Sequence, residues 1–248
     1  MSNLASIIQK DPVRAMLYSA SGQGKTSVVG LAATYEAFSP MYIFDWDLRI
    51  ASLRATIPPA HWNKIESDPY RDASGIAGSA FTKMQAFIER IDPKFKSWAV
   101  DSFTLLMEGT MAHVLALDGK PANSVPNLKH YMERQTIIKR LITSMCAKPL
   151  HFFMTCHEDT AKDEVTGRLF KSFDMDPKLQ NRIPNYFNEV WHVEIQQTTA
   201  TGNQYMIRTR SDMTYSARTS FKTLADLEHQ DKIWPKIIAE RNITTPKK

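Results

Sequence analysis

The segment best suited to chemistry runs Ser19, Ala20, Ser21, Gly22, Gln23, Gly24, Lys25, Thr26 and Ser27. It meets the spacing GxxxxGK[ST] except at its first position, where Ser19 stands in place of glycine. Small residues let successive backbone N–H groups curl around a phosphate, and a helix that follows adds the positive end of its dipole. In such a loop Gly22 and Gly24 supply the tight backbone. Lys25 reaches the β- and γ-phosphates, and the Thr26 hydroxyl ligates Mg2+. The nine residues are therefore candidate binders of ATP with Mg2+. The plainer alternative is a chance Gly-Lys-Thr, which the position between an apolar run and a helical pattern disfavours.

Three other places carry carboxylates or imidazole at the end of an apolar run. Trp98-Ala-Val100 ends in Asp101, and a buried strand ending in Asp is what holds the Mg2+ water shell beside a phosphate loop. Capping of the next helix by Asp101 is the ordinary alternative, and the two roles are compatible. Ile43-Phe44 ends in Asp45-Trp46-Asp47, where period-two alternation puts both acids on one side. A carboxylate near the γ-phosphate can polarise the attacking water, and Asp47 is the expected one. Phe152-Phe-Met-Thr155-Cys156 ends in His157, a polar group placed to sense the γ-phosphate. Zinc held by His151, Cys156 and His157 is a weaker reading, because no fourth ligand completes a familiar spacing.

The elements that position these groups alternate. Val13–Tyr18 reads as a strand and Lys25–Phe38 as a helix. Met41–Phe44 follows as a strand, then an irregular Pro-rich stretch from Ile57 to Tyr70. Phe81–Ile91 is helical by the spacing of Phe81, Met84, Phe87, Ile88 and Ile91. Ser97–Val100 is a strand, Phe103–Leu117 and Leu128–Ala147 are helices, and Leu150–Thr155 is a strand. Alternation of this kind implies a parallel sheet with helices on both faces. The tail reads differently: Glu189–Ile195 and Gln204–Arg210 form a β-hairpin around Thr201-Gly202-Asn203. A third short strand starts near Tyr215, and a last helix includes Ile233–Ile238 with Pro235 inside.

With 248 residues, 43% hydrophobic and 23% charged, the chain has globular composition and room for one domain of this kind. That excludes disordered and collagenous classes. The expectation is a cytoplasmic protein: the first eleven residues lack signal-peptide order, no run of ~18 residues is free of charge, and Cys146 and Cys156 are two lone thiols. The net charge of +5 points weakly to a polyanion.

The four pieces in this order resemble the RecA-type ATPase core. The chain is similar to the phage-encoded RecA-like, AAA-annotated ATPases of single-strand annealing and recombination, over about residues 13–221. Pro184-Asn-Tyr-Phe187-Asn-Glu-Val190 and Arg208-Thr-Arg210 also look like that family's C-terminal half. The resemblance implies an α/β fold: a mostly parallel central sheet, helices on both faces and antiparallel C-terminal strands. It implies one other strand between the phosphate-loop strand and the Asp101 strand. It implies a DNA-stimulated ATPase working as a homo-oligomer, ring or filament, on single-stranded DNA, with a phage single-strand-binding protein as a possible further partner. Carried residue by residue, Gly22, Gly24, Lys25 and Thr26 bind the phosphates and Mg2+, and Asp101 serves the metal. Asp47 stands where RecA has a catalytic Glu, and His157 where RecA has a sensing Gln.

The resemblance also places two loops on DNA, Asp118–Asn127 and Glu158–Asn181. The second carries Lys162, Arg168, Lys171 and Lys178, with Arg182 just beyond and Phe170 and Phe173 interleaved; basic groups neutralise phosphates and rings stack bases. Four acids share that segment, so a solvated loop is an equal alternative. A cation from a neighbouring subunit is expected among Arg208, Arg210 and Arg218, with Arg210 the leading candidate. His61, Trp62 and Tyr70 could stack on adenine, though packing explains them better. Two other classes compete: a P-loop kinase of a small molecule or nucleotide, and a non-hydrolysing, nucleotide-gated binding module. An arginine-rich lid would mark the kinase, and none is evident between Arg140 and Arg168.

Overall fold

The computed structural model describes residues 11–73, 76–162, 164, 167–198 and 202–243. Its centre is β1 (Arg14–Ser19), flanked in parallel by β5 (His151–Lys162) and β7 (Glu189–Thr198). Beyond β5 lie β4 (Ser97–Asp101), β2 (Met41–Asp45) and the edge strand β3 (Ile65–Pro69), all parallel. Beyond β7 the sheet turns antiparallel through β8 (Gly202–Arg208) and β9 (Leu227–His229). The order is β3-β2-β4-β5-β1-β7-β8-β9, and β6 (Leu169–Phe173) branches from β5. One strand, β5, thus separates the phosphate-loop strand from the Asp101 strand, as expected for the RecA-type layout.

Both faces are covered, which is why the parallel strands read as unbroken apolar runs. Alternation sorts β1: Met16 and Tyr18 face one core, Ala15 and Leu17 the other. The first core is roofed by α2 (Ser79–Glu89), α3 (Phe103–Leu117) and α4 (Leu128–Ala147) through Phe81, Leu106 and Ile142. The second is roofed by α1 (Lys25–Ala32) and α6 (Gln230–Ile243) through Val28, Ile233 and Trp234. Trp234 is fully buried against Phe38, Phe153 and Trp191. Its indole N–H donates to the Val28 carbonyl at 2.8 Å, so α6 locks onto α1 across the sequence. Capping explains the start of α4: the Asn127 side chain accepts from the His130 N–H, and His130 Nδ1 accepts from the Asn127 N–H.

Several expectations need correction. The helix after the phosphate loop stops at Ala32, and turns fill the stretch to Phe38. The stretch 57–70 is not irregular: a 3-10 helix (Pro59–Lys64) leads into β3. The strand expected to end at Thr155 continues to Lys162, and the supposed DNA loop folds back on it as β6. After β6 comes a short helix, α5 (Pro177–Gln180). Thr201 lies outside the described residues, while Gly202 and Asn203 are already paired in β8. Near Tyr215 there is a single bridge to Lys171, and the third antiparallel strand is β9 instead. The last helix extends to 230–243 and contains Pro235.

Candidate nucleotide site

The loop after β1 is built on two left-handed glycines, Gly22 at φ 80° and Gly24 at φ 93°. That region is costly for any residue with a Cβ. At Gly24 there is a second constraint: a Cβ would lie 2.7 Å from the Tyr205 ring of β8. Gln23 points away from the loop's concave side, and its side-chain oxygen accepts from the Ile195 N–H of β7 at 3.0 Å. The β7–β8 pair therefore braces the loop from outside.

Lys25 is buried, and its ammonium donates to the Ser19 carbonyl at 2.8 Å, the Ser19 hydroxyl at 3.2 Å and the Ala20 carbonyl at 2.8 Å. The serine at the first motif position supplies an acceptor for the Lys25 ammonium. Burial lowers the Lys25 pKa, opposed by the charges of Asp101 and Asp47 among others. Anionic phosphate oxygens would relieve that cost.

Below the loop, Thr26 donates to Asp101 Oδ2 at 2.7 Å, and Thr155 of β5 donates to Asp101 Oδ1 at 2.5 Å. Asp101 is fully buried, and burial pushes its carboxyl up against these two hydrogen bonds. The Asp101–Ser102 peptide is cis. Ser102 donates to Asp47 Oδ1 at 2.6 Å, and His157 Nε2 lies 3.6 Å from Asp47 Oδ2. Burial works to raise the Asp47 pKa, but His157, Ser102 and the Lys25 charge together hold it below the ordinary value. Asp47 is thus an anion at neutral pH, able to orient a water by accepting its hydrogen bond. Asp45 is spent otherwise: its two oxygens accept the Arg49 and Ile50 N–H groups at 3.1 and 3.2 Å.

These groups converge on a cavity of about 290 Å³ lined by Ser21, Gly22, Gly24, Lys25, Thr26, Ser27, Asp47 and His157. Ser19, Ala20 and Gln23 do not line it, and Asp101 lies beneath it through Thr26. Four further groups complete the site. Arg49 and Tyr205 line the cavity, Ser102 orients Asp47, and Thr155 orients Asp101. Thr155 had a signal, since alternation along β5 puts it on the same side as His157. Arg49 and Tyr205 had none that spacing could reveal.

A hydroxyl and one buried carboxylate suit Mg2+, which keeps waters and takes phosphate oxygens as its other ligands. Among the described residues no group of three His, Cys, Asp or Glu is placed to hold a metal. The donor set therefore fits Mg2+ arriving with a nucleotide, held by Thr26 and Asp101.

The remaining expected site residues lie elsewhere. Arg210 sits past the end of β8, paired with Asp226 at 2.5 Å and away from the cavity of its own chain. Arg208 is paired with Asp212 and Glu194, and Arg218 donates to the Pro184 and Phe187 carbonyls. Lys162 and Arg168 are exposed in the β5–β6 hairpin, and Lys178 and Arg182 are exposed on and after α5. Lys171 is half-buried and paired with Glu158 at 2.9 Å. By cross-strand register Lys162 and Lys171 share one hairpin face and Phe170 takes the other, while Phe173 is buried against Tyr18. Of the two rings, the exposed one, Phe170, therefore lies opposite the face of Lys162 and Lys171. Tyr70 is a core residue, stacked on Trp46 and bonded to Tyr42, and does not join Trp62 in a stacking platform.

A left-handed glycine loop, its lysine, a strand-end Asp on the loop threonine, and a parallel sheet of this order define a P-loop ATPase core of RecA type. A family model described as an AAA domain matches residues 11–221, and the chain belongs to that family. No curated protein matches the chain. Among solved structures it is similar to the assembled ATPase EscN, bound to its central stalk EscO, from the type III secretion system of enteropathogenic E. coli. That match has 12% identity and a TM-score of 0.44, covering 78% of this chain and 45% of EscN. It is also similar to the RadB recombinase, at 14% identity and a TM-score of 0.49, covering 88% of this chain and 86% of RadB. The chain spans about half the length of EscN. Identities and TM-scores this low transfer no activity.

Proposed function

We propose that this chain hydrolyses Mg-ATP and uses the nucleotide state to control binding of single-stranded DNA, as a homo-oligomer acting in annealing or recombination. The observation that carries the reading is the continuity of β5. One twelve-residue strand holds Thr155 on Asp101, presents His157 to Asp47, and runs on to Lys162 in an exposed hairpin. Lys25 and the loop hold the phosphates, Thr26 and Asp101 hold the metal, and Asp47 orients the attacking water by accepting its hydrogen bond. Bound Mg2+ supplies neutralising charge at the phosphates. His157 reports the terminal phosphate, and β5 carries the displacement outward over about 17 Å of strand.

Lys162, Arg168, Lys178 and Arg182 face solvent, where strand phosphates can reach them.

The test is ATP turnover with and without oligo-dT, and oligo-dT binding by anisotropy with and without Mg-ATP, for wild type and Lys25→Ala. Stimulated turnover and nucleotide-dependent binding, both lost in Lys25→Ala, are expected. No binding of oligo-dT at about 50 mM salt in either nucleotide state overturns the DNA reading. Tight ATP binding without phosphate release selects the nucleotide-gated module instead.

A further inference from the structure

The turn after β2 presents two groups to the cavity, and only one of them is accounted for. Asp47 meets Ser102 and His157. Two residues on, Arg49 reaches the phosphate loop itself, where its Nη1 donates to the Ser21 hydroxyl at 3.2 Å. The intervening Leu48 is left-handed, at φ 57°, which is uncommon for a branched side chain. That kink lets both neighbours line the same cavity. The turn is fixed from below, because both oxygens of buried Asp45 hold the N–H groups of Arg49 and Ile50.

Its partners and its place on the cavity distinguish Arg49 from the other arginines considered for this site. Arg208 and Arg210 are each paired with carboxylates, and Arg218 is held by the Pro184 and Phe187 carbonyls. Among the described residues Arg49 has no ion pair within 4.0 Å, and its side-chain partner is a neutral hydroxyl. A guanidinium is a planar fork of donors matched to phosphate oxygens, so a phosphate is a stronger partner for it than a serine.

We propose that Arg49 is the cation that recognises the terminal phosphate of a bound nucleoside triphosphate, supplied by the same chain that supplies the loop. This rests on the reading of the loop as a nucleotide site. Arg49 leaves Ser21 and takes phosphate oxygens on the side where Asp47 and His157 stand. The site then distinguishes a triphosphate from a diphosphate through a group of its own, with no residue borrowed from a neighbouring subunit.

The experiment is titration of fluorescent ATP and ADP analogues with Mg2+ against wild type, Arg49→Ala, Arg49→Lys and Arg54→Ala. Arg54 is exposed on the adjoining 3-10 helix and serves as the control. Expected is an affinity loss of about tenfold or more for the triphosphate in Arg49→Ala, with less than about threefold for the diphosphate. Arg49→Lys recovers part of the loss, and Arg54→Ala matches wild type. Should Arg49→Ala fail to fold, Arg49→Gln takes its place. An unchanged triphosphate-to-diphosphate ratio in the Arg49 variants, with wild type binding both, overturns the role of Arg49 alone. Wild type that binds neither nucleotide overturns the site reading beneath it.

Discussion

The Ser102 hydroxyl donates to the Asp47 carboxylate at 2.6 Å, joining the ends of β4 and β2. Its neighbour Asp101 holds Thr26 on the phosphate loop. Two consecutive residues therefore supply the carboxylate that meets the phosphate loop and orient the carboxylate that lines the cavity. Removing the hydroxyl in Ser102→Ala takes away a charge-assisted hydrogen bond worth about 1.5–3 kcal/mol. Expected is a fall in kcat of about tenfold or more, with KM for ATP little changed. The Asp47 pKa rises towards its ordinary value, so the acid limb of the pH–rate profile moves to higher pH. An unmoved limb means that His157 alone keeps Asp47 ionised.

Asp101 is held with a raised pKa by burial. Its folded state binds protons more readily than the unfolded chain, so stability falls as pH rises from about 3.8 through the folded pKa. Asp101→Asn removes that cost and can still meet Thr26 and Thr155. In the nucleotide-free protein, Asp101→Asn raises the melting temperature at pH 7 by about 2–4 °C, equivalent to about 1 kcal/mol. The gain shrinks towards pH 4, where the unfolded carboxyl is itself half protonated. Mg-ATP turnover is lost in the same variant. Urea unfolding at both pH values, with wild type alongside, checks the sign.

Gly24 carries two separable constraints, a φ of 93° and the Tyr205 ring 2.7 Å from where a Cβ would sit. Gly24→Ala costs about 1–2 kcal/mol from the backbone alone, plus whatever moving the ring requires. In a Tyr205→Ala background the ring is gone and the backbone cost persists. Thermal melts of both single variants and the double variant separate the two. Complete recovery in the double variant would assign the whole effect to the ring.

If the β5–β6 hairpin holds single-stranded DNA, Lys162→Ala lowers the salt slope of log K by about 0.7, one phosphate's worth. Lys171→Ala changes it less, because Lys171 is already paired with Glu158. Phe170 lies on the opposite hairpin face and carries no charge, so Phe170→Ala leaves both affinity and slope near wild type. Equal slopes for all three variants place the strand elsewhere on the molecule.

What could be read in advance follows from how local the cause is. The phosphate loop and α3 and α4 announce themselves because their determinants sit within one turn or one strand; α4 runs from Leu128 to Ala147 as its periodicity predicts. The edge strand β3 escapes because Ile65-Glu-Ser-Asp-Pro pairs on one side only and has no second apolar face to show. The hairpin arm escapes because Leu169–Phe173 is largely solvated and mixes charge with ring. In the site, Asp47, Asp101 and His157 are legible as the ends of apolar strands. Arg49 reaches Ser21 across 28 residues, and the Tyr205 contact with Gly24 spans the sheet from β8 to the loop. No short spacing encodes either.

The bond from Trp234 to the Val28 carbonyl links residues 206 apart. Val28 belongs to the helix that begins at the phosphate loop, and Trp234 to the last described helix. During synthesis Val28 emerges 206 residues before the ring that closes the core against its helix. A ribosome-held chain whose Trp234 is still inside the exit tunnel therefore has an unsealed loop helix. The helix that carries the loop is sealed into its core only once Trp234 has emerged, long after the loop itself.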